Sequence, residues 1–171
     1  MSTPTVRRET GPRRGIAYGA DSDTEIDFKA PLATFMDNAY SVTRDLNRDE
    51  IDVTAFGDFP LKKTEAGFID ISINVSMRKG KIASGALAPD VEFMEAHAIS
   101  GDPFRIAVID NRKSLTPNGL LLTVIATQAG DGGDFSAAQD LTYTLKVATG
   151  HLPPKRIVNG VATPITFDDE E

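Results

Sequence analysis

The sequence predicts a mainly β domain with one short flanking helix. Two alternating stretches and one amphipathic stretch carry that reading. In residues 68–77, Ile69, Ile71, Ile73, Val75 and Met77 alternate with Asp70, Ser72, Asn74 and Ser76. Apolar side chains at strict period two describe a strand with one buried face and one wet face. Leu141, Tyr143, Leu145 and Val147 repeat the pattern against Thr142, Thr144 and Lys146. Residues 90–99 instead place Val91, Met94 and Ala98 on one helical stripe, with Asp90 as a candidate cap and Gly101 suited to the C′ position.

The remaining elements follow in chain order. Residues 1–36 lack sustained periodicity and hold Pro4, Gly11, Pro12, Gly15, Gly19 and Pro31, so they read as an extended N-terminal arm. From Asn38 the pattern becomes β. Tyr40, Val42 and Arg44 alternate with Ser41, Thr43 and Asp45; residues 46–49 read as a short polar connection, and Ile51, Val53 and Ala55 as the returning strand of a hairpin. Residues 55–66 read as a long irregular loop carrying Gly57, Pro60, Lys62 and Lys63. Strands are expected again around Phe104, Ile106 and Val108, and from Leu120 to Gln128, where both faces are apolar. Gly130, Gly132 and Gly133 are expected to end that second strand. After Gly150 come Pro153 and Pro154, a weak strand-like piece at residues 156–161, and the acidic end of Asp168, Asp169, Glu170 and Glu171. The organisation is therefore an arm at 1–36, a β domain at 37–150 and a C-terminal extension at 151–171.

Composition narrows the function. Acids outnumber bases 25 to 18, for a net charge of −7. Stable gripping of duplex phosphates is disfavoured, because that affinity comes from Lys and Arg displacing counterions. Transient passage of nucleic acid past an acidic surface is compatible with it. With no cysteine, neither a disulfide framework nor a thiolate zinc site is possible. No apolar run approaches the roughly 20 residues that span a bilayer, so no membrane insertion is expected. Arg7, Arg8, Arg13 and Arg14 lack the apolar segment of a secretory signal beside them.

Nothing in the chain reads as a catalytic motif. His97 and His151 stand in unrelated contexts: His97 reads as a surface helix histidine and His151 as a loop residue. Ser84 and Ser100 have no triad context. Asp131-Gly132-Gly133-Asp134 lacks the ligand spacing of a calcium loop and reads as a solvated turn. Neither an enzyme, a cofactor nor a metal site is expected.

The order of these pieces carries a resemblance. A hairpin with the return Ile51-Asp52-Val53-Thr54-Ala55-Phe56 is followed by a long loop, an alternating strand and a helix. The strand Ala138-Gln139-Asp140-Leu141-Thr142-Tyr143-Thr144-Leu145 then leads to Gly150. Over roughly residues 38–150 this resembles the major tail proteins, the tail tube subunits of long-tailed phages and related tail-like particles. The resemblance implies a β-sandwich or partly rolled barrel with a flanking helix, assembled as stacked hexameric rings in the virion tail after synthesis in the bacterial cytoplasm. It implies self-association, contact with tape measure, tail tip and tail terminator proteins, and transient passage of DNA. On this reading Asp70, Ser72, Asn74 and Ser76 face the lumen, with Lys146 cutting against an acidic bore. Arg7, Arg8, Arg13, Arg14, Lys62 and Lys63 are the candidate inter-ring contacts. The alternatives are a β-sandwich binding module, for instance for carbohydrate, and a tail terminator or completion protein. The absence of Trp and the presence of only three Tyr weigh against carbohydrate platforms.

Overall fold

In a computed structural model of the chain, the described residues are 14–52, 64–132 and 139–165. They form eight strands and one helix. The strands are β1 (Gly15–Gly19), β2 (Ala39–Asp52), β3 (Thr64–Arg78), β4 (Phe104–Ile109), β5 (Gly119–Gly132), β6 (Asp140–Val147), β7 (Lys155–Val158) and β8 (Val161–Pro164); helix α1 is Pro89–Ser100. All pairings are antiparallel, in the order β1-β4-β5-β6-β3-β2, with the β7–β8 hairpin attached to β5. The sheet is not closed.

Strand β5 organises the molecule. Residues 119–124 pair with β4 on one side, and residues 124–132 pair with β6 on the other. Leu120, Leu121, Leu122, Thr123 and Val124 are all buried, so both faces of its first half are covered, as a run apolar at every position but Thr123 requires. One face meets the main core of Ile73, Val75, Met77, Phe104, Leu122 and Leu145. The other meets a smaller cluster in which Ile109, Leu121 and Ile157 pack with Phe28 and Phe35. Gly119 is required by close approach: a Cβ there would sit 1.9 Å from the carbonyl oxygen of Val108.

Helix α1 caps the main core through Val91 and Met94, both fully buried. Its first turn differs from the expectation that Asp90 caps it. Ala88 is the N-cap, Pro89 opens the helix and Asp90 lies inside it. The buried Asp90 carboxylate accepts from the Asn38 backbone N–H at 2.8 Å, from Asn38 Nδ2 at 2.7 Å and from the Val91 N–H at 3.0 Å. A carboxylate at a helix N-terminus is favoured by the helix dipole, and here it also pins the entrance to β2. Gly101 closes the helix in the left-handed region at φ 72°, its N–H donating to the His97 carbonyl at 2.9 Å. His97 is half-buried against Phe93 and Phe104 rather than on the open surface.

Several expectations are corrected. Residues 46–49 are not a turn: β2 runs on through them, with Leu46 opposite Ile71 and Asn47 opposite Asp70. At Leu46, on the core side of the strand, β2 already reaches past the core and the side chain is 55% exposed. The hairpin therefore joins β2 to β3, and the described part of β3 starts at Thr64, inside the expected loop. The rest of that loop, with Lys62 and Lys63, lies outside the described residues. Gly130 and Gly132 do not end β5, which continues through both opposite Thr142 and Asp140; Gly133 lies outside the described residues.

Much of the expected arm also belongs to the fold. Residues 15–19 form β1 against β4, and Ile16, Ala17 and Met36 are buried. The Tyr18 N–H donates to Thr34 and the Met36 N–H to Ile16, so residues 34–36 cover the outer edge of β1. The apolar residues of this segment serve two clusters in turn, which hides any single period. Finally, residues 156–161 make a β7–β8 hairpin, turned by Asn159 and Gly160 at φ 49° and 77°. That pair of positive φ angles suits a two-residue hairpin loop.

Candidate functional site

Strands β5, β6, β3 and β2 present a continuous polar face. Register places its members. On β3, Asp70, Ser72, Asn74 and Ser76 turn away from the buried Ile71, Ile73, Val75 and Met77. Opposite them on β2 stand Asn47, Asp45, Thr43 and Ser41. Lys146, Thr144, Thr142 and Asp140 stand opposite Ser72, Asn74, Ser76 and Arg78 on β6. Gly130 extends the face onto β5.

Side chains link these strands laterally. Asn74 Nδ2 donates to Asp45 Oδ2 at 3.0 Å, and the Thr144 hydroxyl donates to Asn74 Oδ1 at 3.0 Å. One amide thus bridges β2 to β6 across β3. Lys146 Nζ donates to Asp70 Oδ2 at 2.9 Å. The lysine that appears in the sequence as a positive intrusion is therefore neutralised by the carboxylate two positions away in register. Arg78 lies at the rim, with its guanidinium 5.6 Å from the Tyr40 ring. Neither Asp45 nor Asp140, which stands opposite Arg78, makes an ion pair among the described residues. The surface is hydroxyl- and amide-rich, with Asp45, Asp70 and Asp140 set against Lys146 and Arg78.

The sheet bearing this face ends in two unpaired edges. Among the described residues, β2 has β3 on one side and no strand on the other. Along residues 125–132, β5 has β6 on one side and, among the described residues, no strand on the other, because β4 begins at Phe104, opposite Val124. Among the described residues, the polar face is thus a four-stranded segment open on both sides.

Behind the first half of β5, a second polar cluster ties the chain ends together. Arg105, fully buried, donates from Nη1 to the Thr123 hydroxyl at 3.0 Å and to the Leu152 carbonyl at 3.3 Å; from Nη2 it reaches Glu25 and the Pro153 carbonyl at 3.3 Å each. Glu25 also meets Lys155 Nζ at 2.6 Å. Burial pushes the Glu25 carboxyl up, but the Lys155 hydrogen bond and the Arg105 charge outweigh it and hold the group below its ordinary value. Burial also lowers Arg105, and Glu25 opposes that shift. A lone Arg inside an apolar strand gave no sequence signal for this cluster.

The other candidates separate. Arg14 is exposed just before β1 and lies near Arg44 and Arg156 rather than near the polar face. Arg7, Arg8, Arg13, Lys62 and Lys63 lie outside the described residues. Among the described residues, no group of three or more His, Cys, Asp or Glu is placed to hold a metal ion. None of the described helices is long and apolar enough to cross a membrane.

No protein-family model and no curated protein sequence matches the chain at a significant level. Solved structures do. A subunit in the tail of an empty gene transfer agent particle, refined with C6 symmetry, superposes with a TM-score of 0.58 at 14% identity, over 83% of this chain and 96% of that one. The SPP1 tail tube gives a TM-score of 0.60 at 12% identity, covering 89% and 79%. A chain in the anti-feeding prophage baseplate gives 0.53 at 12%, covering 86% and 94%. The fold is that of phage tail tube proteins. At such identities the likeness is one of architecture, an open antiparallel sheet with a covering helix. In this tail-tube-like fold, the residues that build the polar face are the chain's own.

Proposed function

We propose that the chain is a structural, non-enzymatic subunit of a tail tube in a virion or tail-like particle, assembled in the bacterial cytoplasm. The observation that carries this reading is the four-stranded polar face with an unpaired edge at each side. Exposed edges of this length invite pairing with another chain. Pairing β2 of one copy with residues 125–132 of β5 in the next would continue the sheet from copy to copy. If six copies close the ring, as in the C6-symmetric gene transfer agent tail, the bore has twenty-four strands. At about 4.8 Å spacing and roughly 40° tilt, the backbone diameter is about 48 Å. Subtracting side chains leaves about 35–40 Å, wide enough for duplex DNA about 20 Å across. The polar face would line that bore, with the tape measure protein inside it first and DNA passing later.

A face rich in Ser, Thr and Asn, with Asp45 outside any ion pair among the described residues, suits passage rather than retention. Phosphates find hydrogen-bonding groups but no cluster of free cations. Tail tip and terminator proteins would meet the two ends of such a tube. Negative-stain microscopy of the purified protein tests the proposal: long hollow fibres or six-fold rings are expected. A strict monomer by light scattering at high concentration, even with tail initiator proteins added, would overturn it.

A further inference from the structure

Three arginines converge on one cavity that has no part in the polar face. Arg14, Arg44 and Arg156 line a hollow of about 430 Å³, floored by Val42, Val108 and Leu120. Arg44 reaches it from the core side of β2, since it is in register with the buried Ile73. Arg156 reaches it from β7, where it lies opposite Leu120. None of the three has an ion pair among the described residues. The one acid in the lining, Asp110, already accepts from the Asn118 N–H at 2.9 Å and from Asn118 Nδ2 at 3.2 Å. Three arginines lining one hollow favour an anion between them, and the planar guanidinium geometry suits carboxylates.

We propose that this cavity is a carboxylate-binding site whose occupant is the chain's own acidic end, Asp168, Asp169, Glu170 and Glu171. Charge is one reason: four carboxylates lie in residues 166–171 with no basic residue among them. Position is the other. Thr163 pairs with Arg156, and the Ile165 N–H donates to the Pro154 carbonyl at 3.0 Å, so the described chain ends two residues past the register partner of a cavity arginine. Six further residues reach about 20 Å at most, which puts the cavity within range of the same copy. Because the site borders the unpaired β2 edge, a docked tail would stand beside the strand that another copy would pair. The inference does not rest on the tail-tube reading.

A fluorescein-labelled peptide of residues 166–171 is the probe, read by fluorescence anisotropy. The native chain is compared with a full-length chain carrying Asp168→Asn, Asp169→Asn, Glu170→Gln and Glu171→Gln. The neutralised chain is expected to bind the peptide at least tenfold more tightly, because its site is no longer occupied from within. Adding Arg44→Gln and Arg156→Gln, both at exposed positions, should abolish that binding, and raised salt should weaken it. Equal binding by the native and neutralised chains overturns the proposal, as does binding that ignores the arginine changes. Self-blocking that grows with protein concentration assigns the tail to a second copy and overturns the intrachain form.

Discussion

Lys146 Nζ lies 2.9 Å from Asp70 Oδ2, joining β6 to β3 on a face that, apart from Arg78 at its rim, otherwise carries hydroxyls, amides and acids. Their side chains are 45% and 54% exposed, so the pair contributes roughly 0–1 kcal/mol to stability. Its larger effect is electrostatic, since it removes a free cation from the surface. The substitution Asp70→Lys places two ammonium groups together and leaves both unpaired. Thermal unfolding should shift by no more than about 1 kcal/mol, and tubes should still form under the microscope. DNA delivery by particles carrying the variant should fall, because a basic bore holds phosphates. Loss of all tubes would show that the face is structural.

Leu46 tests the free edge. It lies on the core side of β2 yet is 55% exposed, so a charge there costs the isolated subunit little. Leu46→Asp should change urea stability by about 0.5 kcal/mol or less, while lowering assembly sharply in light scattering. Assembly at the native rate would mean that this part of β2 is not covered by a neighbour.

Asp90 tests the link between helix and sheet. Asp90→Ala removes the acceptor for the half-buried Asn38 N–H and amide and for the Val91 N–H in the first turn of α1. A loss of about 2–3 kcal/mol is expected in equilibrium unfolding. Asp90→Asn keeps one acceptor oxygen and should lose less; if the two variants are equally stable, the three hydrogen bonds do not hold the β2 entrance.

Glu25 sets an acid limit. Its pKa is lowered in the folded protein by Lys155 and Arg105. Its contribution is therefore fully present above the ordinary glutamate value and is lost as pH falls through the lower folded value. Melting temperature should decline over that acidic window, and Glu25→Gln should flatten the decline while lowering the neutral-pH plateau. Identical pH profiles for the two proteins would remove Glu25 from the account.

Local alternation was enough to read β3, β4 and β6, because each side chain's face follows from the pleat alone. The helix and its Gly101 stop were equally legible, as was the polar set on β3. Tertiary context was needed wherever polarity has two causes. Residues 46–49 continue β2, with Leu46 exposed on its core side, and a turn would look the same in sequence. Residues 14–36 look aperiodic because they divide their apolar side chains between two clusters. The lateral bridge from Asp45 through Asn74 to Thr144 depends on which strands are neighbours. So do the neutralisation of Lys146 and the meeting of Arg14, Arg44 and Arg156. Sequence spacing carries no strand order when the partners are up to 142 residues apart, and pairing free energy is settled only when the whole sheet closes over its core.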